Sequence, residues 1–138
     1  MPGAVNQRYM LDTNVVSHIM QGRDAPLLAR LGALVVGQVV ISSVTLAELE
    51  YGIHRKAGAA GLRNALTQLL QRVDVLPWDE KVATVYGELC ATLESQGINL
   101  SDFDMMIAAH AIATGATLVS RDKAFQQVPQ HRLQLQVW

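Results

Sequence analysis

Short segments rich in β-branched residues alternate with helical segments along the chain, and this alternation restricts the possible fold more than any other feature. The strand-like segments are Arg8–Leu11, Gln38–Ile41, Val73–Leu76, Thr117–Ser120 and Leu133–Val137. The helical segments are Val15–Gln21, Ala25–Leu34, Val44–Ala57, Leu62–Arg72, Asp79–Gln96 and Phe103–Thr114. Strands separated by helices pair in parallel and are covered by those helices. The sequence therefore predicts an α/β fold with a small, mostly parallel sheet and helices on both faces.

The composition favours a single globular domain with a substantial core. The chain has 138 residues, of which half are hydrophobic and 17% are charged. Its net charge of −1 argues against a protein that coats nucleic acid nonspecifically, since such binding depends on many phosphate contacts. Cys90 is the single cysteine, so we expect a buried structural thiol and a reducing compartment. No segment resembles a signal peptide or a membrane span, and we expect a cytoplasmic protein.

Four acidic residues follow strands or begin helices. Asp12 ends the apolar stretch YMLD, Glu48 lies one turn into the helix after VVIS, Asp104 begins an apolar helix, and Asp122 follows TLVS. In open parallel sheets, the functional crevice lies outside the carboxyl ends of the strands. We therefore expect all four carboxylates at the same edge of the sheet.

Each of these acids also has a purely structural explanation as a helix cap. The explanations are an N-cap at Asp12, capping boxes at Thr45–Glu48 and Ser101–Asp104, and a turn cap at Asp122. Taken singly, each acid is explained as well by capping as by chemistry. Their common position at one sheet edge favours a functional role.

The helix after Asp104 gives the strongest reason to expect a bound cation. It reads MMIAAHAIAT and is apolar on nearly all sides, which predicts a buried helix. A carboxylate at its start needs a partner, because an unpaired buried charge is costly. Carboxylates without cysteine or histidine companions suit Mg²⁺ or Mn²⁺, which prefer oxygen ligands. Such ions assist phosphodiester hydrolysis, singly or in pairs.

Four stretches together resemble the PIN-domain nucleases, and most closely the VapC toxins of bacterial toxin–antitoxin pairs. They are MLDTN, SSVTLAELEYG, LPWD and FDMMIAAHAIATGATLVSRDKAF, and the similarity runs from Met10 to Trp138. The resemblance implies a PIN-like three-layer fold and a toxin endoribonuclease that depends on Mg²⁺ or Mn²⁺. It further implies a tRNA or rRNA loop as substrate, a VapB-type antitoxin as inhibitor, and assembly into a homodimer and a toxin–antitoxin hetero-oligomer.

The resemblance also assigns roles to individual residues. Asp12, Glu48 and Asp104 match the three central metal-binding acids of the family, and Asp122 matches the fourth. The polar residues expected to support these acids are Thr13, Asn14 and Ser120. Asp102 has no counterpart in the family, and we interpret it as a helix-terminal or loop acid.

The first nine residues lie outside the family pattern. Residues 1–9 are interpreted as an extension or a vector remnant that includes the start of the first strand, followed by a single PIN domain over 10–138.

Basic residues near the acids are candidates for phosphate contacts. Arg121 and Lys123 flank Asp122, while Arg55 and Lys56 follow the helix that carries Glu48. For Arg55 and Lys56, solvated surface charges are an equally good explanation. None of the four histidines has ligand-like spacing, and His110 is interpreted as a core residue with its hydrogen bonds satisfied.

Several other functions require residues or contexts that distinguish them from this one. A receiver-type signalling domain requires paired acids after the first strand and a lysine after a late strand, where this chain has Asp12-Thr13 and Ser120-Arg121. A haloacid-dehalogenase-type phosphatase requires a second acid at the position of Asn14. A housekeeping RNA-processing PIN nuclease and an inactive PIN-fold RNA-binding module remain as alternatives.

Overall fold

The computed structural model describes residues 7–138, in which helices, often in pairs, separate successive strands of one sheet. The strands are β1 (Tyr9–Leu11), β2 (Val39–Ser42), β3 (Asp74–Leu76), β4 (Thr117–Val119) and β5 (Leu135–Gln136). The α-helices of this part of the chain are α1 (Thr13–Gln21), α2 (Ala25–Gly32), α3 (Ser43–Arg55), α4 (Ala60–Leu69), α5 (Glu80–Ser95) and α6 (Asp102–Thr114). A 3₁₀ turn spans Lys123–Gln127.

The five strands form a single sheet in the order β3-β2-β1-β4-β5, and every pairing is parallel. The chain builds outward from β1 to β3 on one side and then continues with β4 on the other. The strand order therefore reverses between β1 and β4, and at such a switch point the two connections leave the carboxyl edge in opposite directions. This divergence opens a crevice directly after Leu11 and Val119.

Alternate residues of the central strands supply two separate cores. Met10, Val40 and Leu118 pack with α5 and α6 on one face of the sheet. Leu11, Ile41 and Val119 pack with α1 to α4 on the other. Successive side chains of a strand point to opposite faces, so the two-residue period of each strand produces a three-layer α/β/α molecule. The predicted fold class is confirmed, and the sheet is entirely parallel.

The predicted element boundaries differ from the observed ones by a few residues. Helix α1 begins at Thr13 rather than Val15, because the Asp12 side chain caps it. Helix α4 covers Ala60–Leu69 instead of Leu62–Arg72, and β5 is reduced to Leu135–Gln136. Helix ends fray and lack a strong sequence signal, which accounts for errors of this size.

Several predictions about single residues can be compared with the structure. Cys90 is half-buried against the α5–α6 core rather than fully buried. Trp78 packs against the α5–α6 core and donates its indole N–H to the Met106 carbonyl at 3.0 Å. The interpretation of residues 1–9 falls largely outside the described residues. None of the helices in residues 7–138 combines the length and the hydropathy needed to cross a membrane.

Candidate active site at the carboxyl edge of the sheet

Asp12 occupies the switch point and is held on both carboxylate oxygens. Its Oδ1 accepts the Val15 backbone N–H at 2.8 Å, which caps α1, and its Oδ2 accepts the Ser120 hydroxyl. The side chain is only 4% exposed. Burial raises the pKa of Asp12, the two hydrogen bonds lower it, and the charges of Asp104 and Asp122 raise it further. Asp12 is therefore both a helix cap and a crowded, buried carboxylate.

Asp104 lies on the same edge, in the first turn of α6. The N-cap of this helix is Ser101, whose hydroxyl accepts the Asp104 backbone N–H at 3.2 Å. Burial raises the pKa of Asp104, hydrogen bonding to Ser101 lowers it, and the Asp122 charge raises it. Capping by Ser101 thus accounts for the hydrogen bond of the Asp104 backbone N–H. It does not account for the position of the Asp104 carboxylate close to the charge of Asp122.

Asp122 is exposed and shapes the loop after β4. Its Oδ1 accepts the Ala124 N–H at 2.9 Å, and its own N–H donates to the Ser120 hydroxyl at 3.0 Å. The predicted turn cap is therefore present. Ser120 joins this loop to the site, because its side chain contacts both Asp12 and the Asp122 backbone.

Glu48 reaches the site through Thr13. The Thr13 hydroxyl donates to the Glu48 Oε1 at 2.6 Å and lies 3.2 Å from the Thr45 hydroxyl. The capping box expected at Thr45–Glu48 is wrong, because the N-cap of α3 is Ser42, three residues before Thr45. Thr45 is fully buried inside the helix. Glu48 thus has no capping role at the start of α3.

The oxygen ligands expected for a hard cation are all at this edge, but they do not close around one point. Among residues 7–138, no three Asp, Glu, His or Cys side chains converge closely enough to hold a metal ion. The charges of Asp104 and Asp122 raise the pKa of Asp12, and the charge of Asp122 raises that of Asp104, while Glu48 is turned onto Thr13. The donor chemistry fits Mg²⁺ or Mn²⁺, because only carboxylate and hydroxyl oxygens are present. Closure around an ion requires side-chain rotations, chiefly of Glu48.

The four basic candidates differ in their surroundings. Arg121 is bound by Asp24 at 2.7 Å and by the Trp138 carbonyl at 2.8 Å. Lys123 is exposed at the first position of the 3₁₀ turn. The guanidinium of Arg55 lies 5.2 Å from the Tyr51 ring centroid, and Lys56 is exposed at the end of α3.

A groove of about 370 Å³ links Glu48 to two of these cations. Its lining includes Thr13 and Glu48 at one end and Arg55 and Lys56 at the other, with an apolar wall between them. A wider concavity of about 670 Å³ lies beside β5, and none of the four acids lines it. The groove next to Glu48 is thus the concave surface that continues the acidic site.

Sequence analysis missed two contacts that help to build this edge. The buried ring of His110 on α6 lies with Nδ1 2.8 Å from the Ser42 hydroxyl at the start of α3. Its Nε2 has no hydrogen-bond partner among the described residues. Only one of the two ring nitrogens is therefore hydrogen-bonded, whereas both were expected to be. Burial lowers the pKa of His110. The second contact is the Asp24–Arg121 pair; Asp24 could be found from the sequence only as the cap before Ala25-Pro26.

Comparison with known proteins agrees with this architecture. Residues 9–130 match the PIN domain. Ribonuclease VapC2 of Rickettsia felis is 34% identical over 123 residues, which are 88% of this chain and 92% of that protein. The tRNA(fMet)-specific endonuclease VapC of Shigella flexneri is 34% identical over 122 residues, with the same coverage of 88% and 92%. The chain belongs to the PIN-domain family.

The solved structures narrow the relationship within that family. The crystal structure of VapBC2 from Rickettsia felis, bound to a DNA fragment from its promoter, has a TM-score of 0.88 and 32% sequence identity. The match covers 96% of this chain and 99% of the other. Within the PIN-domain family, the chain is therefore similar to the VapC ribonucleases over nearly its whole length, as the sequence motifs predicted.

Proposed function

We propose that this protein is the toxin endoribonuclease of a toxin–antitoxin pair and hydrolyses RNA phosphodiester bonds with a divalent cation. One observation carries the proposal: Asp12 at the β1/β4 switch point is buried at 4% exposure, and the charges of Asp104 and Asp122 lie close enough to raise its pKa. Relatives named as VapC ribonucleases, about one third identical, support the reaction class. Mg²⁺ is the proposed ion, with Mn²⁺ as a substitute.

Asp12, Glu48 and Asp104 are the proposed ligands of the cation, and Asp122 completes the set. When bound, a divalent cation stabilises the charge that develops on the phosphate during hydrolysis. The Ser120 hydroxyl and the Val15 N–H favour the ionised form of Asp12 and fix its orientation. Thr13 holds Glu48 beside the site until the carboxylate turns inward. Asn14, exposed in the first turn of α1, is the remaining polar residue of this set.

The RNA must approach an acidic site, and nearby cations compensate for the repulsion. Lys123 beside Asp122 and the Arg55–Lys56 end of the groove are the proposed phosphate contacts. A structured RNA with an exposed loop is the proposed substrate, as the resemblance to the VapC toxins implies. The endonuclease of Shigella flexneri is named for a tRNA, and tRNA is the first substrate to test.

The proposed partner is a VapB-type antitoxin, as in the VapBC complexes of Rickettsia felis and nontypeable Haemophilus influenzae. Exposed apolar residues after α2, Val35 and Val36, are available for a homodimer or for this partner. We place the protein in the cytoplasm, where its RNA substrates are made and where Cys90 stays reduced.

The first prediction tests the enzyme directly. The purified protein, free of any partner, is incubated with small RNA in Mg²⁺ or in chelator. Loss of a residue that only supports a metal ligand typically costs ~10- to 100-fold in activity. Asp104→Asn removes a proposed direct ligand, so it should lower the cleavage rate by at least that much. Cleavage is followed by the appearance of discrete fragments on a denaturing gel.

The matched control is Asp102→Asn, which removes an exposed acid two residues away on the same helix. It should cleave at nearly the wild-type rate. Equal rates for wild type and Asp104→Asn at the same Mg²⁺ concentration would contradict the assignment. A folded protein that binds tRNA without cutting it under any metal would favour an inactive RNA-binding module.

A further inference from the structure

Arg121 lies between two residues of the candidate site, yet its own side chain is bound elsewhere. Its Nη2 lies 2.7 Å from the Asp24 carboxylate, and its Nε donates to the Trp138 carbonyl at 2.8 Å. Asp24 is also the N-cap of α2, accepting the Leu27 N–H at 3.1 Å. The guanidinium therefore ties the loop after β4 to the start of α2 and to the segment after β5.

Both anchors of this guanidinium are themselves held in place. The Trp138 ring lies 5.3 Å from the Arg30 guanidinium carbon and 5.4 Å from the Tyr9 ring. Its indole N–H donates to Gln136 at 3.1 Å. Arg121 lowers the pKa of Asp24, as expected for a carboxylate hydrogen-bonded to a guanidinium. The Asp24–Arg121–Trp138 network is thus attached to α2 and to the edge of the sheet.

The other side of the same loop bears directly on the acids. The Ser120 hydroxyl donates to the Asp12 carboxylate and accepts the Asp122 N–H. A displacement of the backbone at position 121 would therefore disturb both hydrogen bonds. Arg121 stands between Ser120 and Asp122 in the chain, and it anchors the outer side of this loop through Asp24 and the Trp138 carbonyl.

We propose that Arg121 is a positioning residue, which through Asp24 and the Trp138 carbonyl holds Ser120 and Asp122 beside Asp12. This role differs from the phosphate contact expected from its place in the sequence. It also assigns a function to Asp24, which no motif indicated. The effect on metal binding rests on the proposed function, whereas the effect on the loop does not.

The experiment compares Arg121→Gln, Arg121→Lys and Asp24→Asn with the wild type. Asparagine can still cap α2, so Asp24→Asn removes the ion pair and leaves the cap. Lysine keeps the charge but cannot bond both anchors in the fork geometry of arginine. The matched control is Glu88→Gln, which breaks the ion pair between Arg132 and Glu88. The N···O distance of this pair is 2.5 Å, and the pair lies away from the site.

Two readouts separate positioning from RNA contact. The first is hydrogen exchange of the peptide covering residues 119–125 in metal-free protein. The second is Mn²⁺ affinity, measured by the signal of free Mn²⁺ in electron paramagnetic resonance without RNA. Arg121→Gln and Asp24→Asn should speed exchange in that peptide and weaken Mn²⁺ binding by about tenfold, the lower end for supporting residues. Arg121→Lys should resemble Arg121→Gln, and Glu88→Gln should match the wild type.

Unchanged exchange in residues 119–125 for both Arg121→Gln and Asp24→Asn would overturn the proposal. So would wild-type behaviour of Arg121→Lys in both readouts, because charge alone would then suffice. Loss of RNA affinity in Arg121→Gln with wild-type exchange would make Arg121 a phosphate contact instead. A wild-type protein that binds no Mn²⁺ would refute the proposed metal site, while the exchange result would still decide the role of Arg121.

Discussion

At the scale of single residues, the acids of the site place charge where the fold tolerates it poorly. Asp12 is 4% exposed, and burial is the main cause of its raised pKa. The ordinary pKa of this group is 3.8. Between that value and the raised one, the folded state binds more protons than the unfolded state, so stability falls as pH rises through this interval. Above the raised pKa, the metal-free protein carries the whole penalty.

Asp12→Asn should therefore stabilise the metal-free protein at about pH 7, by roughly the 0.5–2 kcal/mol typical of stabilising substitutions. Asparagine can still accept the Val15 N–H and cap α1. The gain over wild type should shrink as the pH is lowered toward the ordinary aspartate pKa. The measurement is the difference in free energy of unfolding from urea melts across that range.

Asp79→Asn is the control for this prediction. Asp79 is also an N-cap, accepting the Val82 N–H at 3.2 Å, but it is exposed. No comparable gain is expected there. A less stable Asp12→Asn protein in chelator would show that the site tolerates the Asp12 charge without cost. His110 has a lowered pKa and destabilises the fold as pH falls, and this contribution cancels in the difference between wild type and Asp12→Asn.

At the scale of elements, the two helices that carry Glu48 and Asp104, α3 and α6, each have a glycine, and the two glycines have different roles. Helix α6 ends at Gly115, whose φ of 69° is left-handed and whose N–H bonds back into the last turn. Gly52 lies inside α3 in ordinary helical conformation, with no atom within 4 Å of an added Cβ. The first glycine is required by backbone geometry, whereas the second costs helix stability without any packing reason within the chain.

Gly52→Ala should raise the free energy of unfolding by about 0.5–1 kcal/mol, because alanine restricts the unfolded chain and favours the helix. Gly115→Ala should lower it by about 1 kcal/mol or more, since alanine is strained at positive φ. Thermal melts of the two variants beside wild type provide the comparison. Destabilisation by Gly52→Ala would show that the open space at α3 is not available to a side chain.

At the scale of the whole molecule, charge is balanced so closely that only a local region can attract RNA. The net charge is −1, and the three proposed phosphate contacts, Arg55, Lys56 and Lys123, are exposed cations near the site. Association with RNA releases counterions in proportion to the phosphates neutralised. The salt dependence of binding therefore counts the contacts.

For three contacts on a single-stranded loop, the logarithm of the affinity should fall with the logarithm of salt concentration at a slope of about −2. Lys123→Gln should reduce that slope by about 0.7. Binding is measured with Asp104→Asn so that the RNA stays intact. Arg8→Gln serves as the control, because Arg8 precedes β1 at the opposite edge of the sheet, and its slope should equal that of the parent. An unchanged slope in Lys123→Gln would remove Lys123 from the interface.

The sequence determined the fold class, because its two hydrophobic periods are local properties of the chain. It also located the four acids, since residues after parallel strands must meet at one edge. Helix ends and the length of β5 were less well predicted, because caps such as Ser42 compete with neighbouring candidates such as Thr45. These errors are confined to regions where local preferences are nearly equal in energy.

Only the tertiary structure decided which side chains are partners. The Thr13–Glu48 bond joins residues 35 positions apart, the Ser120–Asp12 bond spans 108, and Arg121 meets Asp24 rather than solvent. The pKa values of Asp12 and Asp104 depend on burial and on charges brought from distant elements. No local pattern encodes these contacts, because they arise only when loops from opposite sides of the switch point meet at the sheet edge. The sequence predicted which residues are candidates for the chemistry, and the packing of the sheet decided how each of them is held.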